Sequence, residues 1–191
     1  MEELQDYSGE FRPNLKMVDF SKEQMSRIWS LGGFLYLGLG SVYYRVLKER
    51  LGEEKAMELD FEVWKRMALT EIRLTAQAAN IHGDDVATIF KIFQCDPAGG
   101  IGGDSWADIE YDLKSDRHGI ATFKDCKSLR YFEKHGEMAT MEHVCTRVDV
   151  DWYNQCAQFV NPKIKVTPLK LPPRKSPDEI ACQWEFKLES Y

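Results

Sequence analysis

The sequence predicts an α+β protein in which N-terminal helices pack on one face of an about four-stranded, mainly antiparallel sheet. Two observations indicate this class. Apolar residues recur at helical spacing from residue 22 to residue 94, and later segments alternate apolar and polar residues in the manner of strands. The predicted order is helices, a hairpin, helices and a second hairpin. The 191 residues suffice for one domain with a core, so we predict an N-terminal arm over 1–18 and a single domain over 19–191.

The last quarter of the chain gives the clearest strand pattern. Five apolar residues alternate there with polar ones: Ile180, Cys182, Trp184, Phe186 and Leu188. A preceding strand is predicted from Ile164 to Leu171, where Pro168 indicates an edge position or a bulge because proline has no amide donor. The connector from Leu171 to Pro177 is rich in proline and therefore stiff.

The remaining elements follow from spacing and from turn residues. Helices are predicted over residues 22–51, 53–80, 86–94, 127–135 and 150–160, and a hairpin over 109–125. Asp19 or Ser21 can cap the first helix, and Asp84 and Asp85 are candidate caps for the third. Four glycines within the first helix predict either close helix packing or a backbone approached by a ligand.

Composition and charge narrow the class of protein. The net charge of −6 argues against a sequence-independent nucleic-acid binder. The odd count of five cysteines, without a Cys-x-x-Cys pair and behind a polar, acidic N-terminus, indicates a reducing compartment, the cytoplasm, with thiols that are free or metal-bound. Residues 28–44 carry no charge, but they lie at the short end of the length that spans a bilayer, so we predict a buried helix and no membrane partner.

A glycine-rich stretch, CDPAGGIGGDS, runs from Cys95 to Ser105. It lacks the Gly-Lys-Ser/Thr ending of a phosphate loop, and its glycine spacing does not fit a dinucleotide-binding turn. It is predicted to be a loop, either a surface turn or a flexible lid.

Candidate chemistry centres on Cys126, Cys145 and Cys182. His143 lies two residues before Cys145, and an extended conformation would place both on one face, where a histidine can accept the thiol proton. A buried core thiol is the ordinary alternative, since free cysteine is among the most buried residue types. Zinc is a rival use of the same thiols with His135 and His143, although no ligand pair has the local spacing of a zinc site.

The aromatic residues and one arginine are candidates for ligand binding. Trp184 and other tryptophans and tyrosines can line an aromatic pocket, or belong to the core with their polar atoms satisfied. Arg174 lies on the stiff connector, where it either faces a ligand or is solvated.

Two segments of the sequence carry a family resemblance. The opening from Asp6, DYSGEFRPNLKMVDFSKEQ, and the C-terminal segment 159–189 resemble a bacterial and archaeal domain family of unassigned function. That family is similar to the L-2-amino-thiazoline-4-carboxylic acid hydrolase-like proteins, which share N-terminal helices, an internal Cys followed by an Asp (Cys145 and Asp149), and a final Cys-x-aromatic strand at Cys182. A more distant likeness is to small-molecule-binding domains of the 4-vinyl reductase type.

The resemblance implies ring-opening hydrolysis of a small cyclic amidine or thioimidate. Cys145 or Cys182 would be the nucleophile or position water, and His143 or Asp149 would be the base. Arg174 would hold a substrate carboxylate through two hydrogen bonds.

The function expected from the sequence is therefore small-molecule binding, with hydrolysis of a C–N bond as its catalytic form. Cys145, Cys182, His143 and Asp149 are the expected catalytic residues. The expected substrate contacts are Arg174, Trp184 and Cys126, with no metal ligand assigned. The alternative is a non-catalytic sensor or binding module. No cofactor is expected, apart from the structural zinc that this alternative allows. A homodimer is compatible with either function.

Overall fold

The computed structural model describes residues 3–96 and 106–189 and confirms the predicted α+β class. The glycine-rich loop was predicted over residues 95–105. Its first residue, Cys95, belongs to a helix, and residues 97–105 lie outside the described residues. The helices are α1 (Lys22–Leu51), α2 (Glu53–Ala78), α3 (Val86–Cys95), α4 (Lys127–His135), α5 (Met138–His143) and α6 (Asp149–Val160). The strands are β1 (Ala107–Ser115), β2 (His118–Cys126), β3 (Ile164–Lys170) and β4 (Cys182–Leu188).

The helix ends follow from the capping residues. The Ser21 side chain accepts a hydrogen bond from the Gln24 amide at the start of α1, and Asp85 does the same for Thr88 at the start of α3. Gly52 separates α1 from α2 with a φ of 82°, a conformation that favours glycine. The predicted boundaries at these points are confirmed.

The four strands form one antiparallel sheet in the order β1-β2-β4-β3. Strand β3 therefore lies at an edge, and its register shifts between Pro168 and Lys170. The sequence predicted an edge position or a bulge for Pro168, and the structure shows both an edge strand and a register shift there. The alternation in β4 is also present, with Trp184 and Phe186 fully buried.

Aromatic packing joins one face of the sheet to the helices. Phe90 and Phe93 of α3 contact the Phe186 ring edge-on, at centroid distances of 5.6 and 5.5 Å. Tyr153 of α6 packs on Trp184 at 4.5 Å. Gly119 of β2 faces Phe90 so closely that a Cβ would lie 2.6 Å from the ring, which requires glycine there.

The segment from Met138 to Val148, for which the sequence predicted no helix, is helical throughout. Helix α5 is followed by a π-helical turn over Val144–Val148 that continues into α6. Met141 and Cys145, four residues apart, are buried and pack with Leu129 and Phe132 of α4, whereas Met138 is exposed. The helix was not predicted because this stretch is short and its start lacks a side-chain cap.

Helix α1 packs principally against α2, away from the sheet. Its buried residues are Gly33 and Tyr44, and many of its other apolar side chains are exposed. Within the described ranges, none of the helices combines the length and the apolarity that crossing a bilayer requires.

Candidate functional site

A cavity of about 230 Å³ lies between the α1–α2 pair, the beginning of β1, the end of β2, and the helical segment from α4 to α6. A dry cavity of about 150 Å³ is enough to hold benzene. The volume therefore suits a molecule of one or two small rings.

The walls of the cavity are mostly aromatic and apolar. Six of the rings that line it are Tyr36, Trp64, Trp106, Tyr131, Trp152 and Tyr153. Gly40 of α1 also lines it and lies against the Trp64 ring, since a Cβ at Gly40 would be 2.5 Å from that ring. This confirms close helix packing for one of the α1 glycines, and it also places that backbone at the cavity.

The charged residues of the cavity are mainly acidic. Its acidic lining residues are Asp60, Glu71, Asp96, Glu137 and Asp149. Among the described lining residues Arg45 is the only arginine or lysine, and it is exposed. The cavity thus combines aromatic faces with an excess of carboxyl groups.

Glu71 lies on the inner face of α2 and is buried. Its Oε2 accepts hydrogen bonds from the Tyr36 hydroxyl at 3.4 Å and from Trp152 Nε1 at 3.3 Å. Burial, followed by the neighbouring Asp96 carboxyl, raises the pKa of Glu71 to about 8. The two acids cannot readily both ionise in this setting, so a proton is retained near neutral pH.

Asp149 begins α6 and faces the cavity together with two thiols, those of Cys126 and Cys145. Burial raises the pKa of Asp149 to about 7. Burial also raises the pKa of Cys126 to about 11 and that of Cys145 above its ordinary value. At neutral pH the thiols are therefore protonated, while Asp149 is poised between its two forms.

Two hydroxyl groups on the cavity wall have unused hydrogen-bonding capacity. Burial raises the pKa of Tyr44, and the nearby Thr140 hydroxyl offsets part of this rise. Among the described residues, neither the Tyr44 hydroxyl nor the Thr140 hydroxyl has a hydrogen-bond partner within 3.5 Å. Buried polar atoms are rarely left in this state. They are available to a bound molecule or to water.

His143 is held away from the thiols by a second carboxylate. Its Nε2 lies 3.0 Å from Asp60 Oδ2, and Trp64 Nε1 donates to the other oxygen of Asp60 at 3.1 Å. Both side chains of the His143–Asp60 pair are almost fully buried. The expectation of an extended segment with His143 and Cys145 on one face is wrong, because successive helical residues point about 100° apart and positions two apart diverge.

Cys182 and Trp184 are close to the other site residues but do not line the cavity. Trp184 Nε1 donates to Cys182 Sγ at 3.3 Å, and the Trp184 ring is 1% exposed. Burial raises the pKa of Cys182 above its ordinary value, and the neighbouring Asp149 and Cys126 raise it further. Burial raises the pKa of Cys145 in the same way, with Asp149, Cys126 and Cys182 as neighbours that add to the effect. The structure thus brings the three predicted thiols together around Asp149, with two of them at the cavity surface.

Arg174 lies outside the cavity lining and forms a bidentate pair with Glu133 of α4, with both N–O distances at 2.8 Å. Its Nη1 donates to the carbonyl oxygens of Pro177 and Glu179. The side chain is 2% exposed. This guanidinium fastens the proline-rich connector to α4, and its predicted contact with a substrate stays a prediction.

No group of three or more His, Cys, Asp or Glu side chains within residues 3–96 and 106–189 is arranged to hold a metal ion. The zinc alternative therefore has no arranged ligand set in the described part of the chain.

Sequence reasoning missed Asp60 and Glu71. Both occur within the apolar stripe of α2, at helical spacing with Trp64 and Met67. An acidic residue on an otherwise apolar helix face is the signal that could have indicated them, because burying a carboxyl is costly without a partner.

Comparison with known proteins identifies the family of this chain but assigns it no function. The model of a family of unknown function (DUF6125) matches residues 18–188. No curated protein and no solved structure matches the chain. These comparisons give no link to the thiazoline hydrolase-like proteins.

Proposed function

We propose that this protein, which belongs to the family of unknown function DUF6125, binds a small organic cation in the cavity between α1, α2 and the sheet. The preferred chemical class is a ring-bearing amidine or amine that is protonated at neutral pH. The observation that carries the proposal is the combination of aromatic walls with several buried carboxyl groups around 230 Å³ of space.

The aromatic walls favour a cation over a neutral ligand of the same shape. A cation over an aromatic face gains about 0.5–2 kcal/mol, the more so when water is excluded. Tyr36 and Trp152 surround Glu71 and fix the orientation of its carboxyl by hydrogen bonding. A planar amidinium could then donate to Glu71 or Asp149 while its ring lies among the aromatic side chains.

The raised pKa values of Glu71 and Asp149 also favour a cationic ligand. Burial keeps Glu71 and Asp149 partly neutral, because Arg45, the one basic side chain among the described lining residues, is exposed and supplies little counter-charge. A bound cation supplies that counter-charge and favours the ionised carboxylates. Binding should therefore release a proton and strengthen as the pH rises from about 6 to about 8, the range set by the two raised pKa values.

The test is calorimetric titration of the protein with benzamidine, with benzamide as the neutral isostere. We expect benzamidine to bind and benzamide to bind at least about tenfold more weakly, since one charge-assisted hydrogen bond is worth about 1.5–3 kcal/mol. Glu71→Gln should weaken benzamidine binding by a similar factor. Glu62→Gln on the exposed side of the same helix should not change it. Equal binding of the two compounds would refute the cation preference.

A second candidate function is hydrolysis of a cyclic amidine, favoured by Asp149. A carboxylate with a pKa of about 7 can act as a general base at neutral pH, and it lies beside the thiols in the same cavity. Water would attack the amidine carbon and give its proton to Asp149, which then returns it to the departing ring nitrogen or sulfur. The protonated thiols suit contact with the substrate better than nucleophilic attack.

Turnover of 2-aminothiazoline-type substrates separates the two functions. If the protein is a hydrolase of this kind, Asp149→Asn should lower kcat by about 100-fold or more, within the range typical of a lost general base. Cys145→Ala should leave most of the rate, and Cys182→Ala should leave more. Binding without turnover would support the binding function and contradict hydrolysis. Loss of turnover in Cys145→Ala would instead identify the Cys145 thiol as the nucleophile.

A further inference from the structure

The outward face of α1 carries an apolar stripe that the described chain leaves largely exposed, although Ile28 at its start is half-buried. Ile28, Leu31, Leu35, Leu39 and Val42, here called the outer seam, fall within an arc of about 80° at 100° per residue. Leu35 and Leu39 are 60% and 67% exposed. The helix buries its opposite side, so α1 is apolar on two faces, and exposed apolar patches of this kind mark interaction sites.

We propose that the outer seam is the interface between two copies of this chain, which pack antiparallel with Leu35 of each copy at the two-fold axis. An interface between identical copies related by a two-fold axis must be complementary to itself. The outer seam has that property about Leu35. Ile28 and Val42 lie seven residues to either side, and Leu31 and Leu39 lie four residues to either side. In the antiparallel register each apolar side chain therefore meets another.

The glycines of α1 have the same symmetry. Gly32 and Gly38 lie three residues before and three residues after Leu35, and both border the outer seam. A Cβ built on either glycine would meet nothing within 4 Å in the described chain. Each costs about 1 kcal/mol in a helix interior, and no contact within the described chain offsets this. A partner helix crossing at Leu35 would use the space, because glycines let two helices approach closely.

The charges of α1 favour the antiparallel orientation. No charged residue occurs between Arg27 and Arg45, so the outer seam is uncharged over its length. The C-terminal part of α1 carries Arg45, Lys48 and Arg50. A parallel pair would place these three cations beside their own copies. In the antiparallel register Arg45 lies opposite Met25 and only Lys48 meets a cation, Lys22, and the two helix dipoles are aligned favourably.

The outer seam supplies the apolar centre that a dimer interface needs. Together with Val46, which lies one turn beyond Val42 on the same face, it has five side chains that are 43–67% exposed: Leu31, Leu35, Leu39, Val42 and Val46. Interfaces have an apolar core and a polar rim, so the flanking polar side chains would complete the roughly 800 Å² per copy of a standard interface.

The first test is the mass of the full chain in solution by analytical ultracentrifugation at micromolar and higher concentrations. We expect twice the 22.1 kDa of one chain. Leu35→Glu should weaken association by about 100-fold, because it buries two like charges at the axis. The substituted side chain is exposed in the single chain, so the circular dichroism spectrum should stay unchanged. Leu113→Glu, at an exposed apolar position on β1, is the matched control and should remain dimeric.

The second test is cysteine cross-linking, which distinguishes an antiparallel from a parallel pair of α1 helices. Leu35→Cys should form an intermolecular disulfide on mild oxidation, and so should the double variant Ile28→Cys with Val42→Cys. Ile28→Cys alone should not form an intermolecular disulfide. The wild-type chain is the control for cross-links through its native thiols. Cross-linking of Ile28→Cys alone would refute the antiparallel register, since only a parallel pair brings that position against its copy.

Three other outcomes would overturn the proposal. One is a wild-type chain that stays single at all concentrations, and another is a Leu35→Glu chain that stays dimeric. The third is a single wild-type chain that co-sediments with phosphatidylcholine vesicles and loses this property in Leu35→Glu, which would assign the outer seam to a lipid surface.

Discussion

Asp149 and Glu71 are carboxyl groups whose pKa values burial raises into the neutral range, to about 7 and about 8. Their ordinary values are 3.8 and 4.5. The folded state therefore holds protons that the unfolded chain has released, and the contribution to stability is complete below the ordinary pKa. It is lost as the pH rises through the folded pKa.

Stability should accordingly fall as the pH rises from about 4 to about 8, the interval between the ordinary and the raised pKa values. Asp149→Asn should flatten this fall and be more stable than the wild type at pH 8 by on the order of 2 kcal/mol, because an amide stays neutral at every pH. Urea unfolding at several pH values measures it. Glu62→Gln should keep the wild-type slope, and an unchanged slope in Asp149→Asn would show that Asp149 is ionised in the empty cavity.

Arg174 is the residue whose predicted role and observed contacts differ most. Its hydrogen bonds to Glu133, Pro177 and Glu179 use most of its donors within the chain. We expect Arg174→Met to lower the free energy of unfolding by about 2–4 kcal/mol, since Glu133 would keep a partly buried charge without its partner. Benzamidine affinity should stay within about threefold of the wild type. A large loss of affinity with unchanged stability would instead support a ligand contact.

At the scale of single elements, α1 has two faces with different partners. Gly40 lies on the inner face against Trp64, with no room for a Cβ, whereas Gly38 faces open space. The two glycines are only two residues apart in the sequence but differ in what a methyl group would meet.

Alanine at these two positions should therefore have opposite effects on the single chain. In the Leu35→Glu background, Gly38→Ala should raise stability by up to about 1 kcal/mol through helix propensity. Gly40→Ala should lower it by about 1–2 kcal/mol, because overpacking against Trp64 exceeds that gain. Thermal unfolding measures both. In the otherwise wild-type chain Gly38→Ala should weaken the dimer, and a strengthened dimer would contradict the close helix crossing.

The elements were predictable from sequence where local signals agreed. Alternation predicted β4, Pro168 indicated an edge position or a bulge for β3, and Ser21 and Asp85 were among the predicted helix caps. The segment from Met138 to Val148 was not predicted as helical, because its π turn shifts the spacing and its start lacks a side-chain cap.

At the scale of the whole molecule, the cavity depends on elements distant in sequence. Glu71 of α2 and Asp149 of α6 line one space because α2 and α6 pack together over the sheet. The convergence of thiols around Asp149 could be predicted in part from strand and helix ends. The acidic character of the site was missed, although Asp60 and Glu71 on the apolar face of α2 were a signal for it, because that signal does not say which distant elements share the space.

The outer seam and the cavity lie on opposite sides of α1. Tyr36, Gly40 and Tyr44 face the cavity, while Leu35 and Leu39 face outward. If two copies pair through the outer seam, α1 is held from both sides. The α1 wall of the cavity would then be less mobile in the dimer than in the single chain.

The most direct measurement of the central claim is benzamidine titration at pH 7.5 in two buffers of different ionisation enthalpy. A cation that enters beside Glu71 and Asp149 should displace a proton, so the apparent binding enthalpy should differ between the buffers in proportion to the protons released. The difference should shrink in Glu71→Gln and persist in Glu62→Gln. Binding with the same enthalpy in both buffers, or no binding at all, would contradict an acidic cavity that receives a small organic cation.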